Sequence, residues 1–495
     1  MKLSEVIDSV HVKSVSGSLD AEVSGIFYDS RRVVEGGVFC ALVGGGADGN
    51  EYIDAAIENG AVAIISGKPY PAEFPGTWIH VADPRLAMGI ASANLEGNPS
   101  REIPVVGVTG TNGKTTTTYL IHHLFKSVLR RAGLIGTINY VVGDEVKDAP
   151  HTTPESPDVQ ELLREMVDSD CRGVAMEVSS HGIVQKRIAG VSFDVGVFTN
   201  LTQDHLDFHG GMQSYFEAKA ALFTGMDSDS EKEGVAIINV DDSYGDRLKK
   251  MQFEHLKIYT YGRSANADFQ ASNIRSDFNG TEFKLSFGER SFLVRIPLIG
   301  AFNVYNTVAA IASAYSVGLN LRETIAKMAD APQVPGRLEA VGDRQINYRV
   351  FVDYAHTPDA LSNVLETLRA LRPNRIITVF GCGGDRDVLK RAPMAKAAEE
   401  GSDFCILTTD NPRTEEPQQI LDDAEKGFLG SDHEVIEDRR LAIKRAIRLA
   451  DERDIVLIAG KGHEAYQEIQ GVRHNFDDRK MAVGFIREKA EGGEK

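Results

Sequence analysis

The feature that most constrains the fold is a glycine-rich turn between an apolar stretch and a segment with helical periodicity. The apolar stretch 103–109 runs into Gly110-Thr-Asn-Gly113-Lys114-Thr115, and a helical pattern follows over 115–129. Glycines let backbone amides curl around phosphate oxygens, and a helix N-terminus favours negative charge. Lys114 can reach the β- and γ-phosphates, and the Thr115 hydroxyl can bind Mg²⁺. The turn therefore predicts a nucleoside triphosphate site.

This loop departs from the pattern G-x-x-x-x-G-K-[ST] at one position, because residue 108 is Val. A glycine turn with an incidental lysine is the alternative interpretation. Agreement among strand, loop, Lys-Thr pair and helix favours ATP binding. The loop residues predicted to bind ATP are Gly110, Thr111, Asn112, Gly113, Lys114, Thr115 and Thr116.

Three blocks follow one another along the 495 residues, a length that suits about three domains. Residues 1–98 mix short strands with one helix, 99–332 alternate strands and helices, and 333–495 hold apolar strands that end in Gly, Asp or His. We predict a three-domain α/β protein with a P-loop-type central parallel sheet and a Rossmann-like C-terminal domain. Polar–apolar alternation near 265–297 predicts an antiparallel hairpin at the edge of the central sheet.

Composition excludes several classes of function. The net charge of −18 argues against nucleic acid as the main partner, because phosphate backbones favour a basic surface. Apolar runs stay well below the ~20 residues of a membrane span, and the N-terminus lacks the apolar core of a signal peptide. Four widely separated cysteines favour reduced thiols over a disulfide framework or a zinc site. We expect a cytoplasmic monomer that neither binds nucleic acid nor inserts into a membrane.

Further motifs resemble the Mur ligase family, which includes the folylpolyglutamate synthetases. The resemblance covers nearly the whole chain and implies an ATP-dependent ligase that activates a carboxylate as an acyl phosphate and couples it to an amino acid. In order, the motifs are GTNGKTT at 110–116, MEVSSHG at 176–182, TNLTQDHLDFHG at 199–210, Lys219, GAFNVYNTVAA at 300–310, GRLE at 336–339 and DYAHTPDAL at 353–361.

Three stretches resemble the branch of this family that adds the third residue of the peptidoglycan stem peptide to UDP-MurNAc-L-Ala-D-Glu. They are HTTPES at 151–156, GCGGDRD at 381–387 and DNPRTEEP at 410–417. The sequence DNPR resembles the form specific for meso-2,6-diaminopimelate, since lysine-adding relatives typically replace its arginine. The same chemistry with L-lysine as acceptor is the nearest alternative.

Catalytic roles follow from that resemblance. It implies that Lys114 neutralises the triphosphate and that Thr115 and Glu177 hold one Mg²⁺. His205 would hold a second Mg²⁺ near the substrate carboxylate. Lys219 would be N6-carboxylysine, in which CO₂ converts the amine into a metal-binding anion.

Each of these residues also has an ordinary interpretation. Glu177 ends an apolar strand beside two serines, so it could cap the next helix. His205 lies in a histidine-rich loop, where a structural role is more common than metal binding. Lys219 sits on a predicted helix, where a solvated lysine is the default.

Two regions are predicted to bind the sugar nucleotide. Residues implied for UDP-MurNAc-L-Ala-D-Glu are Thr152, Thr153, Ser179, Gln185 and Arg187. In the first block, Ser30 and the loop with Gly45, Gly46 and Ala47 resemble a uridine pocket. That loop lacks the polar side chains of some relatives, and a simple turn is the alternative.

Charge counting guides the assignment of the incoming amino acid. meso-Diaminopimelate carries both a carboxylate and an ammonium at its far end, a pair that lysine lacks. Arginines bind carboxylates with forked donors, and acidic side chains accept from ammonium. Solvated surface pairs are the alternative. The residues predicted for this pocket are Arg386, Asp410, Asn411, Pro412, Arg413, Gly460 and Glu464.

The remaining ATP contacts are predicted outside the loop. Asn303 and Asn306 are assigned to the adenine side, and Arg337 and Asp353 to phosphate and ribose. His356 fits either the nucleotide or a turn.

Competing functions are a folylpolyglutamate-type ligase, a P-loop nucleotide switch and a non-catalytic nucleotide-binding scaffold. HTTPES and the uridine-like first block argue against folate. The absence of an N-K-x-D motif argues against a guanine-specific switch. Intact Lys114, Thr115, Glu177 and His205 argue against a scaffold.

Overall fold

The computed structural model describes residues 1–44, 46–71, 74, 76–229, 232–342 and 346–492. Its chain divides into two compact units. The first comprises Met1–Asn273, Phe283–Val294 and Val304–Ala329, and the second Ile274–Glu282, Arg295–Asn303 and Asp330–Lys495.

A five-stranded sheet opens the first unit, in the order β1-β5-β4-β3-β2. Strands β2 to β5 pair in parallel, and β1 pairs antiparallel with β5. Apolar side chains cover both faces of this sheet, as expected for parallel strands. The strands are β1 Val12–Ser16, β2 Gly25–Phe27, β3 Gly37–Ala41, β4 Ala61–Ser66 and β5 Thr77–Val81, and the helices are α1 Leu3–Val6, α2 Ile53–Glu58 and α3 Pro84–Leu95.

An eleven-stranded sheet follows, in the order β16-β15-β14-β13-β12-β11-β6-β10-β7-β8-β9. Its strands are β6 Val105–Thr109, β7 Gly133–Ile135, β8 Asn139–Val142, β9 Glu145–Asp148, β10 Val174–Glu177, β11 Val195–Phe198, β12 Val235–Asn239, β13 Lys257–Gly262, β14 Phe269–Asp277, β15 Gly280–Phe287 and β16 Arg290–Ile296. The helices are α4 Lys114–Leu129, α5 Ser156–Asp168, α6 Ser180–Val184, α7 Leu206–His209, α8 Met212–Asp227, α9 Ser243–Lys249, α10 Ala301–Ser316 and α11 Leu321–Lys327.

The middle of this sheet positions the nucleotide loop. Strand β6 lies between β10 and β11 and pairs in parallel with both, and all five of its residues are buried. The carboxyl ends of the three strands therefore lie side by side at one edge. Strands β14, β15 and β16 are joined by two-residue turns and lie at one edge of the sheet, whereas β9 lies at the other edge. This arrangement confirms the predicted hairpin at the sheet edge.

The second unit is built on a six-stranded sheet, in the order β17-β18-β22-β19-β20-β21. All neighbours pair in parallel except β17 with β18. The strands are β17 Glu339–Val341, β18 Arg349–Asp353, β19 Ile376–Phe380, β20 Phe404–Leu407, β21 His433–Val435 and β22 Ile455–Ala459, with a separate hairpin of β23 Tyr466–Ile469 and β24 Val472–Asn475. The helices are α12 Pro358–Ala370, α13 Arg391–Gly401, α14 Pro417–Glu425, α15 Arg439–Leu449 and α16 Asp478–Gly492.

Successive side chains of β18 point to opposite faces of this sheet, and both faces are buried. Phe351 joins the core that includes α12, α13 and α14, whereas Val350 and Val352 join the core with α15 and α16. Helices on both faces of a parallel sheet confirm the predicted α/β class. The three sheets lie within the predicted blocks 1–98, 99–332 and 333–495, whose boundaries stay a prediction.

Two expectations from composition can be compared with this fold. All four cysteines are buried free thiols. Among the described residues, each helix is too short or too polar to cross a bilayer.

Candidate active site

The nucleotide loop is shaped by two glycines. Gly113 has a φ of +86° and precedes the first residue of α4, a conformation that glycine adopts at little cost. A Cβ on Gly110 would lie 1.8 Å from Oγ1 of Thr199, so no larger residue fits there. The loop thus leads directly from β6 into the N-terminus of α4, the geometry that binds phosphate.

Two lysines meet at this loop. Lys114 donates to the carbonyl oxygens of Gly110 and Thr111 at 2.9 and 2.8 Å, and Lys219 donates to the Gly110 oxygen at 2.8 Å. Lys219 is 1% exposed and lies 4.6 Å from the Tyr215 ring centroid. Burial, with Lys114 adding to it, holds the pKa of Lys219 well below its usual range. The solvated-lysine alternative is therefore wrong.

Glu177 lies at the carboxyl end of β10 and is fully buried. Its carboxylate accepts from the Thr115 hydroxyl at 3.1 Å, and from the Thr137 backbone amide and hydroxyl at 2.8 and 3.0 Å. The helix cap after β10 is supplied by Ser179 instead, whose hydroxyl accepts from Gly182. The capping alternative for Glu177 is therefore wrong.

The donor set around Glu177 fits Mg²⁺. Magnesium is usually bound by one or two carboxylates together with substrate phosphates and water, and a carboxylate beside the Thr115 hydroxyl supplies such oxygens. Within the described ranges, no cluster of three or more His, Cys, Asp or Glu has the geometry of a metal site. Glu177 and Thr115 would hold Mg²⁺ together with oxygens of the bound phosphates.

Asn200, which sequence analysis did not single out, braces the nucleotide loop. Its carbonyl accepts from the Thr111 amide at 2.9 Å, and its side-chain oxygen accepts from the Asn112 amide at 2.9 Å. The Asn112 carbonyl accepts from the Asn200 side chain and from the Thr199 hydroxyl, at 3.2 and 2.6 Å. The end of β11 therefore fixes the conformation of the loop.

His205 lies in a group of aromatic side chains beside the loop. Its ring centroid is 4.9 Å from that of His181 and 6.4 Å from that of Tyr215. The Tyr215 hydroxyl is 3.2 Å from the Thr111 hydroxyl. His205 has a φ of +52° and a half-exposed side chain, so its ring is accessible to a ligand.

Residues predicted for the sugar nucleotide cluster near Glu177. The Thr153 hydroxyl donates to the Glu177 carbonyl at 2.9 Å and lies 3.1 Å from the Ser179 hydroxyl. The Thr152 hydroxyl is 3.1 Å from that of Thr137, which also bonds to Glu177. The structure thus brings HTTPES and MEVSSHG together.

Arg187 joins this cluster through an ion pair that the sequence did not predict. Its Nε lies 3.0 Å from Glu155, and its Nη1 donates to the Thr153 carbonyl at 2.9 Å. Arg85, from α3, pairs with the same carboxylate at 2.8 Å and donates to the Gln185 carbonyl at 3.2 Å. Glu155 therefore links the first block to the predicted sugar-nucleotide residues.

The residues predicted for uridine, Ser30 and the loop with Gly46 and Ala47, are separated along the sequence of the first block. Ser30 is buried, and its carbonyl accepts from Asn59 at 3.0 Å. Gly46 and Ala47 lie in a turn that Gly44 closes by donating to the Ala47 carbonyl at 2.9 Å. Gly45 lies outside the described residues.

In the second unit, Asn411 is the centre of a buried polar cluster. Its side-chain oxygen accepts from Lys461 at 2.9 Å, and its side-chain nitrogen donates to Glu464 at 2.9 Å. Fully buried Lys461 and Arg439 were missed by sequence analysis; Arg439 lies 4.0 Å from Asp410. Burial raises the pKa of Glu464, and Asp410 adds to that effect. The predicted Asp410, Asn411 and Glu464 thus lie together.

The predicted acceptor arginines lie on neighbouring loops after β19 and β20. Arg413 donates to the Gly384 carbonyl at 2.6 Å and has a φ of +52°. Arg386 is exposed and donates to the adjacent Asp385 carbonyl at 3.3 Å. A Cβ on Gly384 would lie 2.0 Å from the carbonyl of Pro412, so the two loops are in close contact. A Cβ on Gly460, after β22, would lie 2.5 Å from the Asp410 carboxylate.

GRLE and DYAH also meet within the second unit. The Asp353 carboxylate accepts from the Leu338 and Ala355 amides at 2.6 and 2.7 Å, and burial raises its pKa while Arg337 opposes that rise. The Arg337 guanidinium lies over the Tyr354 ring, 4.8 Å from its centroid. This arrangement brings together Arg337 and Asp353, both predicted for ATP.

His356, Asn303 and Asn306 have polar contacts of their own. The His356 ring bonds to the Tyr354 carbonyl at 2.9 Å, consistent with a turn residue. On α10, Asn303 donates to the Ile299 carbonyl at 2.8 Å, and Asn306 accepts from the Thr117 hydroxyl at 3.3 Å. Asn306 is thereby bonded to the helix that follows the nucleotide loop.

The fold and these clusters define an α/β enzyme that binds a nucleoside triphosphate and carries a second cluster of buried polar side chains after strand ends. Two family models match the chain: the Mur ligase middle domain over residues 108–314, and the Mur ligase, glutamate ligase domain over residues 336–462.

Full-length similarity agrees with those models. The chain is 44% identical to UDP-N-acetylmuramoyl-L-alanyl-D-glutamate–2,6-diaminopimelate ligase of Geobacter metallireducens over 100% of both chains. It is 45% identical to the enzyme of that name from Solibacter usitatus over 97% of each chain. A solved structure of a ligase with this name is 36% identical, with a TM-score of 0.73 over 99% of both chains. The chain belongs to the Mur ligase family and is an ATP-dependent, amide-bond-forming ligase.

Proposed function

We propose that this protein joins meso-2,6-diaminopimelate to the D-glutamyl carboxylate of UDP-MurNAc-L-Ala-D-Glu in peptidoglycan precursor synthesis. The full-length relatives carry the name of this activity. The observation that carries the acceptor assignment is the Asn411 side-chain amide, which follows β20 and bonds both Lys461 and Glu464 in the loop after β22. Such a cluster suits an amino acid whose far end bears both charges.

The reaction requires an activated carboxylate. A carboxylate oxygen of the sugar nucleotide attacks the γ-phosphorus of ATP, ADP leaves, and an acyl phosphate forms. The amine of the acceptor then attacks the acyl carbon, the C–O bond to phosphate breaks, and a proton is lost from nitrogen. Phosphoryl transfer depends mainly on positioning and charge neutralisation, which Lys114 and the loop amides supply.

Magnesium and a carbamate complete the proposed centre. Bound Mg²⁺ would neutralise charge on the phosphates, with Thr115 and Glu177 among its ligands and His205 holding a second ion. Lys219 fits N6-carboxylysine, because its depressed pKa favours the neutral amine, the form that reacts with CO₂. The resulting anion would offset the cation of Lys114 beside it.

Substrate binding is assigned to two sets of side chains. For UDP-MurNAc-L-Ala-D-Glu we propose the cluster of Thr152, Thr153, Ser179, Gln185 and Arg187, together with Ser30 and the loop at Gly45, Gly46 and Ala47. For diaminopimelate we propose Arg386, Asp410, Asn411, Pro412, Arg413, Gly460 and Glu464. We further propose that the enzyme acts as a cytoplasmic monomer.

Phosphate release from ATP tests the proposal. The purified chain with Mg²⁺ and UDP-MurNAc-L-Ala-D-Glu is assayed with meso-diaminopimelate, with L-lysine and without acceptor. We expect release that requires diaminopimelate and a product whose mass equals both substrates less water. Release with lysine instead would overturn the acceptor assignment, and no release with either would overturn the substrate assignment as well. An Arg413→Lys variant serves as a matched control for the acceptor assignment. It keeps the positive charge of Arg413 but loses the forked hydrogen-bond donor.

A further inference from the structure

Arg391 is a buried arginine that bonds to Glu415, near the two loops after β19 and β20 that carry Arg386 and Arg413. We call these two loops the acceptor loops. It is the first residue of α13, and its side chain is 2% exposed. Its Nη2 donates to both carboxylate oxygens of Glu415 at 2.8 and 2.7 Å, and its Nη1 donates to Asp423 at 3.1 Å. One guanidinium nitrogen thus bonds Glu415 and the other bonds Asp423, which holds the Glu415 carboxylate against the buried arginine.

The Glu415 carboxylate, in the loop after β20, also bonds to the loop after β19. It accepts from the Asp385 backbone amide at 2.6 Å. Asp385 in turn accepts from the amide and hydroxyl of Thr414, at 3.2 and 2.7 Å. These bonds surround the two predicted acceptor arginines, because Asp385 precedes Arg386 and Thr414 follows Arg413.

The backbone at Asp385 and at Arg413 adopts a conformation that depends on stabilising contacts. Asp385 and Arg413 both have a φ of +52°, in the left-handed region that residues other than glycine seldom adopt. Such residues persist where surrounding contacts determine them, and they concentrate at functional sites. Glu415, Thr414 and the Gly384 carbonyl supply some of these contacts, and the backbones of Glu468 and Gln470 bond to that of Arg413.

We infer that Arg391 is a positioning residue for acceptor selection, acting through Glu415 to hold Arg386 and Arg413 in place. This inference rests on the proposed function, since it assigns the two arginines to the far end of diaminopimelate. Arg391 itself need not touch the substrate. Its loss should weaken binding of the acceptor more than it slows the chemical step.

A matched pair of variants isolates this role. Glu415→Ala and Asp423→Ala each remove one carboxylate from Arg391, but only Glu415 bonds to the acceptor loop. We expect Glu415→Ala to raise KM for diaminopimelate about tenfold or more, with kcat and KM for ATP within about threefold of wild type. Asp423→Ala should leave KM for diaminopimelate within about twofold, even if it lowers the unfolding temperature similarly.

Two further variants keep the test decisive if Glu415→Ala folds poorly. Glu415→Gln preserves shape, and Arg391→Lys preserves charge but has a single nitrogen in place of the two that bond Glu415 and Asp423. Both variants should raise KM for diaminopimelate and reduce the preference for it over lysine. Equal KM changes in the Glu415 and Asp423 variants, or none in any variant, would overturn the inference. Failure of the proposed function is distinguishable, because it appears in the wild-type enzyme as phosphate release that does not depend on diaminopimelate.

Discussion

Lys114 and Lys219 share one acceptor, since their amino groups lie 2.9 and 2.8 Å from the carbonyl oxygen of Gly110. Two cations so close repel each other, and burial of Lys219 adds to the cost of charging it. One lysine can keep its charge for the triphosphate while the other stays neutral. This asymmetry gives two identical side chains different chemistry.

The first prediction concerns Lys219. We expect Lys219→Ala to lower kcat by on the order of 10²-fold, because the site loses an anion formed from CO₂ as well as a buried side chain. A short carboxylic acid added to the variant should restore part of the activity by supplying a carboxylate. Phosphate-release assays measure both effects, and ¹³C NMR of wild type with labelled bicarbonate should show a carbamate carbonyl.

Lys232→Ala is the control for this prediction. Lys232 is also poorly exposed and bonds to Asp194 and to the Ser100 carbonyl, so its replacement tests the loss of a partly buried, hydrogen-bonded lysine away from the nucleotide loop. An enzyme without a carbamate signal, or a Lys219→Ala variant as active as Lys232→Ala, would contradict the carboxylysine assignment.

The second prediction concerns the charge of Glu177. Glu177→Gln keeps the size of the side chain but removes its negative charge. We expect the Mg²⁺ concentration for half-maximal activity to rise at least about tenfold, because interactions with charged groups are worth ~1.5–3 kcal/mol. Titration of phosphate release with Mg²⁺ measures this change. Thr137→Val, which removes a hydrogen bond to Glu177 without changing its charge, should shift the midpoint much less.

Local pattern was enough to predict that the glycine-rich loop joins a strand to a helix, and it indicated several residues of the candidate acceptor site. The glycines, Lys114 and Thr115 are contiguous, and the strand and helix around them have clear periodicity. Asp410, Asn411 and Glu464 were predicted from charge counting and from their places after apolar strands. The structure brings these residues together because β20 and β22 both flank β19.

Residues missed by sequence analysis act through distant partners. Asn200 and Glu155 bond to residues tens of positions away, and nothing in their own neighbourhood indicates those partners. Arg439 lies in an arginine-rich helix, where a solvated face is the ordinary expectation. Lys461 did leave a signal, because only Gly460 separates it from the end of a fully buried apolar strand. Burial of Lys219 had no local sign beyond the family resemblance.

The third prediction tests the contact between GRLE and the loop that holds Glu464. Gly336 has a φ of +64°, and a Cβ there would lie 2.1 Å from the backbone nitrogen of His463. We expect Gly336→Ala to lower the unfolding temperature and to raise KM for diaminopimelate, because the loop with Glu464 must move. Calorimetry and phosphate release measure the two effects.

Gly288→Ala is the matched control for Gly336→Ala. Gly288, in the turn between β15 and β16, has a φ of +57°, but a Cβ there would meet nothing within 4 Å. It should therefore show the backbone cost alone, about 1 kcal/mol, without a change in KM for diaminopimelate. Equal behaviour of the two variants would contradict the steric argument.

The fourth prediction concerns His122, on the helix that follows the nucleotide loop. Burial lowers the pKa of His122 from its ordinary 6.5 to about 4, and nearby Lys126 adds to that effect. Among the described residues its Nε2 has no hydrogen-bond partner, so a proton there would be buried and unpaired. Between pH 6.5 and 4 the unfolded chain therefore binds a proton that the folded chain does not.

The contribution of neutral His122 to the free energy of unfolding should accordingly be complete above pH 6.5. It should decline as the pH falls toward 4. At pH 5 the loss corresponds to about 2 kcal/mol. We expect His122→Gln, which does not titrate, to lose less stability than wild type between pH 7.5 and 5, by an amount equal to about 2–4 °C in unfolding temperature. Calorimetry of both proteins at the two pH values measures this difference. A wild-type-to-variant difference that stays constant with pH would show that His122 does not stay neutral in the folded protein.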